Sequence, residues 1–143
     1  MKPKKSLLWI IVAVVILVAG VYIVFVMNRT TIDLPATDAI TSITMEHFKD
    51  YASAGEITIT DKGEIKSILG ELSGAVKTRR WTVNDYPTAA NYLVVRLFRE
   101  GKMQTLCLYS DGADYIEEPY VAVYRTKKGF NCIYSMYSAQ NKA

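Results

Sequence analysis

The sequence predicts an α+β protein in which a single N-terminal transmembrane helix precedes a small domain of one helix packed on an antiparallel β-meander. Three observations predict this architecture. Residues 7–27 form an unbroken apolar run, an amphipathic helix pattern falls at residues 61–73, and most other segments are rich in β-branched and aromatic residues separated by short turns. Because the chain has 143 residues, the part after the apolar run can bury one hydrophobic core.

The apolar run, residues 7–27, is interrupted only by Gly20. A helix of this length spans about 31 Å, which matches the hydrocarbon core of a bilayer, so we expect contact with membrane lipid. Lys2, Lys4 and Lys5 precede the run without an acid, which predicts that residues 1–6 are cytoplasmic and that the domain lies outside the membrane. A cleaved signal peptide would have an apolar region of about 7–15 residues ending in small residues, so an uncleaved signal-anchor is favoured.

The charges of the chain are unevenly distributed. Residues 28–39 are mostly polar and predict a linker, which leaves residues 40–143 as the extracytoplasmic domain. Four of the 17 Lys and Arg residues lie within residues 1–30, so the rest of the chain has 13 basic residues against 14 acidic ones. A nearly neutral domain lacks the basic surface that nucleic-acid binding requires, and we expect no nucleic-acid partner.

The amphipathic helix is predicted from Asp61 to Ser73, with Asp61 as N-cap, Glu64 completing a capping box and Gly74 ending the helix. Its apolar stripe consists of Ile65, Ile68, Leu69 and Leu72. The predicted strands are Thr41–Phe48, Glu56–Thr60, Lys77–Val83, Asn91–Arg99, Met103–Ser110, Asp114–Glu117, Tyr120–Arg125 and Phe130–Tyr137.

Turn residues predict how these strands pair. A two-residue turn at Glu100-Gly101 would pair Val95 with Leu106 and Val94 with Cys107. A three-residue loop, Asp111–Ala113, would place Ile116 opposite Leu108, and a loop at Lys127–Gly129 would pair Thr126 with Phe130, Val123 with Ile133 and Tyr124 with Cys132. These registers gather an aliphatic core face under the helix: Leu93, Val95, Leu97, Leu106, Leu108, Ile116, Val121, Val123 and Ile133.

The opposite face of the predicted sheet is rich in tyrosine. It would carry Tyr92, Tyr109, Tyr115, Tyr120, Tyr124 and Tyr134 together with Val94, Arg96, Phe98, Phe130 and both cysteines. One interpretation is that tyrosines suit half-exposed strands and stack across them. The other is a binding surface, because tyrosine combines a large apolar area with a polar tip. In that second interpretation the candidate binding residues are Tyr92, Tyr109, Tyr120, Tyr124 and Glu117.

The two cysteines, Cys107 and Cys132, share this predicted face and are a candidate disulfide, since the predicted compartment allows one to persist. Two separate thiols are the alternative, and an even count alone does not decide between them. One histidine and two widely spaced cysteines do not match a structural zinc site, so we expect no metal and no cofactor.

Catalytic motifs are absent from the sequence. His47 shares a predicted strand face with Ile43 and Met45, which indicates a partly buried structural histidine. The acids Asp111, Asp114, Glu117 and Glu118 are the remaining candidates for acid/base chemistry, although a hairpin turn and a strand end also explain them.

The segment Tyr115-Ile-Glu-Glu-Pro-Tyr-Val-Ala-Val-Tyr124, which follows the strand residues Leu106–Tyr109, resembles a signature of small uncharacterised domains in Firmicutes, YIE-x-PY-x-x-x-Y. Further fragments fit in the same order: Ser42–Thr44, Glu64-Ile65, Thr82–Asp85 with Pro87, and Asn91-Tyr92. The resemblance covers roughly residues 40–125 and departs from the pattern at Ala122, where glycine is expected, and from Lys127 onward. It implies a Gram-positive, membrane-attached or exported protein in a domain-of-unknown-function family, and it supplies no catalytic residue.

The sequence therefore predicts a non-catalytic binding or sensory module, anchored outside the cytoplasmic membrane, whose partner is another envelope protein or a cell-wall component. An inhibitor of an extracytoplasmic enzyme is one version of this module. The alternative is a small cell-envelope hydrolase that uses the acids between Asp111 and Glu118. These functions differ in one structural respect, because paired acid chemistry needs carboxylates that converge in a concave pocket.

Overall fold

The computed structural model describes the backbone of residues 4–27, 30–82 and 85–142, which form two compact units, Met1–Thr30 and Thr31–Ala143. Parts of the predicted tail, linker and third strand lie outside the described residues: 1–3, 28–29 and 83. The first unit contains helix α1, Lys4–Met27, whose side chains are described for residues 9–24 and are exposed. Within the described residues, no helix has both the length and the apolarity needed to cross a membrane.

The second unit is α+β, as predicted. Its elements are β1 (Ile40–Lys49), β2 (Ala52–Ile59), α2 (Lys62–Leu72), β3 (Val76–Lys77), β4 (Tyr92–Arg99), β5 (Lys102–Ser110), β6 (Asp114–Glu118), β7 (Ala122–Thr126) and α3 (Asn131–Gln140). The strands form one antiparallel seven-stranded sheet in the order β2-β1-β4-β5-β6-β7-β3. Strands β4 to β7 form a meander of consecutive hairpins. β1 pairs with β2 on one side and with β4 on the other, although β2, α2 and β3 lie between β1 and β4 in the sequence.

Helix α2 forms as its sequence pattern predicts. The Asp61 side chain accepts a hydrogen bond from the Glu64 backbone N–H at 2.9 Å, which satisfies one of the free donors at the helix start. The predicted stripe of Ile65, Ile68, Leu69 and Leu72 is buried against the sheet. Burying such a stripe supplies most of the stability of a helix this short.

The predicted pairing of the central strands is confirmed. Val95 pairs with Leu106 and Val94 with Cys107 across β4 and β5. Ile116 of β6 pairs with Leu108 of β5. Two short turns set these registers, Glu100-Gly101 and Asp111–Ala113, and the Gly and Asp residues in them predict how long each turn is.

The side chains of β7 lie on the faces of the sheet opposite to those predicted. Pro119, Tyr120 and Val121 form a three-residue turn, so that Ile116 pairs with Tyr124. Tyr124 therefore joins the core face, whereas Val123 lies on the opposite face and Val121 is exposed. A shift of one residue along a strand moves every side chain to the other face of the sheet.

The predicted strand Phe130–Tyr137 is wrong, because this segment starts helix α3. Phe130, Ile133 and Tyr137 are buried, and their spacing of three and four residues is that of a helix face. Two helices thus pack on the sheet in place of the predicted one. The predicted strand at residues 77–83 is also shorter than expected, since β3 ends at Lys77.

Part of the predicted linker belongs to the second unit. The Ile32 N–H donates to the Ala75 carbonyl at 2.9 Å, and Thr31 bridges to Val76. Ile32 is buried and Leu34 packs against the core. The domain therefore starts near Thr31, before the predicted boundary at residue 40.

The sheet has an apolar layer on each face. The larger layer lies under α2 and α3. On the opposite face, Tyr92, Val94, Cys107, Tyr109, Tyr115 and Val123 form a second buried cluster. The segment after β3 covers this cluster, which turns the face that the sequence presented as half-exposed into a second core layer.

Candidate functional site

The exposed tyrosine face predicted from the sequence does not form. Tyr92, Tyr109 and Tyr124 are buried, as is Glu117 at 2% exposure. Of the five candidate binding residues only Tyr120 is exposed, at 71%.

The segment between β3 and β4 explains why these rings are buried. Thr78 donates through its backbone N–H and its hydroxyl to the Val123 carbonyl, both at 2.8 Å. The Arg80 guanidinium lies 4.0 Å from the centre of the Tyr115 ring, in cation–π geometry. Tyr86 contacts the Tyr92 ring from the same side. This segment lacks a periodic apolar pattern, so its residues did not predict that it would pack on the sheet.

Glu117 lies within the second core layer, close to Tyr109 and Cys107. Burial, followed by the nearby Glu117 carboxylate, raises the pKa of both the Cys107 thiol and the Tyr109 phenol to about 12. Both groups are therefore protonated at neutral pH, and Cys107 is a poor nucleophile. This cluster is part of the hydrophobic interior of the domain.

Cys107 and Cys132 do not form the candidate disulfide, and both are free thiols. Cys107 lies in the second core layer, whereas Cys132 is in the first turn of α3, the helix that packs with α2 on the other face. The prediction had placed Cys132 on a strand beside Tyr124, and the change from strand to helix removes that geometry.

The acids between Asp111 and Glu118 do not converge on one point. Asp111 is paired with Arg80 at 2.9 Å beside a depression of about 410 Å³. Asp114 accepts a hydrogen bond from Ser110 at 2.5 Å, Glu117 is buried, and Glu118 accepts one from Gln104 at 2.9 Å. Asp111, Asp114 and Glu118 thus contact different side chains, and Glu117 and Glu118 point to opposite faces of β6.

The exposed Tyr120 lies at the rim of a depression of about 470 Å³, here called the Tyr120 depression. Arg96, Met103 and Thr105 contribute to it from β4 and β5. Its other lining residues are Asp85 and Tyr86 on one side and the β6–β7 turn, 118–121, on the other. Tyr86, Met103, Tyr120 and Val121 are all large, exposed side chains, so this depression has an apolar and aromatic rim.

The backbone of Tyr120 has an unusual conformation for a side chain of this size. Its φ is 64°, in the left-handed region that favours glycine. The Tyr120 hydroxyl donates to the Asp85 carboxylate at 2.7 Å, which holds the ring over the depression. Strained backbone that carries an exposed aromatic ring is typical of functional sites.

A second depression of about 350 Å³, the Tyr124 depression, adjoins the first. The two share Met103, Glu118 and Val121. Asp33, Arg99, Gln104 and Tyr124 line the part that is not shared. Arg96 and Thr105, which line the Tyr120 depression, are cross-strand partners on one face of the sheet. Gln104, which lines the Tyr124 depression, pairs with Leu97 on the other face. The two depressions therefore lie on opposite faces of the sheet.

Sequence and structure comparisons agree with this fold. An NMR structure titled "NMR structure of the protein from Ruminococcus gnavus" is similar over 71% of this chain and 97% of that chain, with 27% sequence identity and a TM-score of 0.58. None of the curated proteins is significantly similar to the chain.

The family described as "Domain of unknown function (DUF5300)" matches residues 28–125. This match confirms the predicted relation to an uncharacterised domain family. It ends at residue 125, before α3, and the resemblance seen in the sequence also ended there. Because the match spans more than half of the sequence, the chain belongs to this family, DUF5301.

Proposed function

We propose that this protein is a non-catalytic binding or sensory module, held at the outer surface of the cytoplasmic membrane, that binds its partner in the Tyr120 depression. The observation that carries the proposal is Tyr120 itself, an exposed residue with left-handed backbone geometry whose ring is oriented by a hydrogen bond from its hydroxyl to Asp85. The partner is another envelope protein or a cell-wall component.

The chemistry of the rim supports binding. Tyrosine and methionine are enriched in the centres of protein interfaces, and Tyr86, Met103 and Tyr120 lie around one depression. The Asp85 hydrogen bond fixes the Tyr120 ring before a partner arrives, which reduces the entropy lost on binding.

The membrane anchor is supported by the sequence. Residues 7–27 are apolar apart from Gly20 and follow three lysines without an acid, the charge pattern of a signal-anchor with the N-terminus inside. The resemblance of the segment 115–124 to a Firmicute signature supports a Gram-positive cell envelope as the setting.

An inhibitor of an extracytoplasmic enzyme is a specific form of this proposal. The turn Pro119–Val121 presents two exposed side chains, Tyr120 and Val121, at its tip, the kind of protrusion that fills a concave enzyme cleft. The hydrolase alternative has less support, because the acids that it requires are separated.

Site-specific photo-crosslinking in intact cells tests the binding site. A photoreactive residue introduced at Val121 should form an adduct with an envelope component, and the added substitution Tyr120→Ala should abolish that adduct. Tyr51 provides a matched control, because it is 68% exposed, has the same φ of 64° and donates its hydroxyl to the Thr88 carbonyl outside the Tyr120 depression.

The photoreactive residue at position 51 should form no such adduct, and Tyr51→Ala should leave the adduct at position 121 intact. If crosslinking at Val121 is unaffected by Tyr120→Ala, the Tyr120 depression is not the binding site.

A further inference from the structure

We propose that the free edge of β5 binds an extended peptide with basic side chains, which adds to the sheet as a short extra strand. This inference rests on the proposed function and names its ligand class. The site is the stretch Lys102–Leu106, which lies between the Tyr120 and Tyr124 depressions; its residues from Lys102 to Thr105 are exposed or partly exposed, and Leu106 is buried.

This stretch of β5 is paired on one side only. β4 pairs with β5 from Lys102 to Leu108, whereas β6 pairs only with Cys107–Ser110. Among the described strands, none pairs with Lys102–Leu106 on the β6 side. Because alternate residues of an antiparallel strand direct their N–H and C=O groups to opposite sides, about half of the backbone groups here face that free edge.

The β6–β7 turn keeps the edge free. β6 ends at Glu118, and the following Pro119 has no N–H with which to continue the ladder. The Val121 N–H donates to the Glu118 carbonyl at 3.0 Å, which closes the turn and directs the chain into β7. The turn therefore ends the pairing with β5 and leaves a sheet edge of the kind that peptides extend.

The two depressions match the geometry of an added strand. Successive side chains of an extended peptide point to opposite faces of the sheet. One set would enter the Tyr120 depression beside Thr105, and the other would enter the Tyr124 depression beside Gln104. Peptides bound by strand addition gain affinity from main-chain hydrogen bonds and specificity from such alternating pockets.

The charges around the edge favour a basic peptide. Asp85 and Glu118 line the Tyr120 depression, and Asp33 and Glu118 line the Tyr124 depression, so that three acids stand against the two positive charges of Arg99 and Lys102. The charge of Arg96 is already balanced by Glu46 at 3.0 Å and Glu56 at 3.2 Å. The tyrosine rings add a surface that attracts cations.

Arg99, the other arginine of the site, offers a donor to the peptide backbone. Because Arg99 lines the Tyr124 depression, its guanidinium can donate a hydrogen bond to a carbonyl of the bound peptide.

Synthetic octapeptides of alternating Val and Lys, acetylated and amidated at their ends, test the proposal. We expect them to bind the full-length chain in a non-ionic detergent, and to slow amide hydrogen exchange within Lys102–Leu106. The matching Val and Glu octapeptide should bind at least tenfold more weakly. Glu118→Gln, which keeps an acceptor for Gln104, should weaken binding of the Lys peptide several-fold, while Asp50→Asn, an exposed acid outside both depressions, should not.

Two N-methylated versions of the Lys octapeptide provide the sharpest test, one methylated at the odd residues and one at the even residues. Strand addition uses only one set of peptide N–H groups, so one version should bind and the other should not. Equal binding of both versions, or slowed exchange that depends on protein concentration and not on peptide, would overturn the proposal. If the photo-crosslink at Val121 still depends on Tyr120 in that case, the proposed function stands and only the ligand class is wrong.

Discussion

His47 shows how one side chain can couple the stability of the domain to pH. It lies on β1, on the face that carries Ile43 and Met45, as predicted. Its ring packs edge-on against Tyr134 and Tyr137 of α3, with ring centres 5.8 and 5.6 Å apart. Burial first, and the positive charge of Lys49 second, lower the pKa of His47 from its usual value of 6.5.

The lowered pKa predicts that acid destabilises the domain. Because the unfolded chain binds a proton at His47 more readily than the folded one, the stability contribution is present above pH 6.5 and is lost as the pH falls towards the folded pKa. His47 is the only histidine, so an NMR titration of its ring protons measures this pKa without ambiguity. His47→Phe should flatten the pH dependence of unfolding below pH 6.5, and a measured pKa above 6.5 would contradict the prediction.

At the scale of elements, α2 and α3 stabilise each other's ends through side chains that are distant in sequence. The Glu71 carboxylate of α2 accepts the backbone N–H groups of Cys132 and Ile133 at 3.0 and 2.9 Å. Lys128 in turn donates to the Gly70 carbonyl and the Ser73 hydroxyl at the end of α2. The N-cap residue of α3, Phe130, makes no capping hydrogen bond with its side chain. Glu71 of α2 caps the free N–H groups at the start of α3 instead.

Glu71→Ala should weaken α3 more than the rest of the domain. The two N–H groups would lose their acceptor and the helix start its favourable negative charge, at a cost of about 1 kcal/mol. Hydrogen exchange should accelerate in α3 and remain nearly unchanged in β4 and β5. Lys66→Ala, an exposed change on the same helix, is the control, and equal effects of the two substitutions would show that Glu71 has no special role.

At the scale of the whole molecule, the chain consists of two units with different compositions. The first unit is an apolar helix preceded by lysines, and the second is a nearly neutral α+β domain with a core on each face of its sheet. The proposed binding site belongs entirely to the second unit.

The proposed membrane anchor and its orientation are open to a direct test. In a variant with Cys107→Ala and Cys132→Ala, Lys142→Cys should react with a membrane-impermeant thiol reagent on intact protoplasts. The lysines before residue 7 should keep the N-terminus inside, so the C-terminus is expected outside. Labelling that occurs only after lysis would place the domain in the cytoplasm.

The features that the sequence predicted correctly are local in origin. The cap and apolar spacing of α2 lie within a few residues of one another, and the pairing of β4, β5 and β6 follows from two short turns. The tertiary structure decided the rest. The aromatic and β-branched residues of α3 predicted a strand. The segment forms a helix whose first N–H groups bind Glu71, and this residue lies 61 residues before Cys132 in the sequence. Tyr92 and Tyr109 look half-exposed in sequence, and they are buried because a segment without apolar periodicity packs over them through Thr78 and Arg80. Tyr120 remains exposed because it lies in the turn before β7. Its hydroxyl binds Asp85, which is 35 residues earlier in the chain, and a short window of sequence does not contain such a contact.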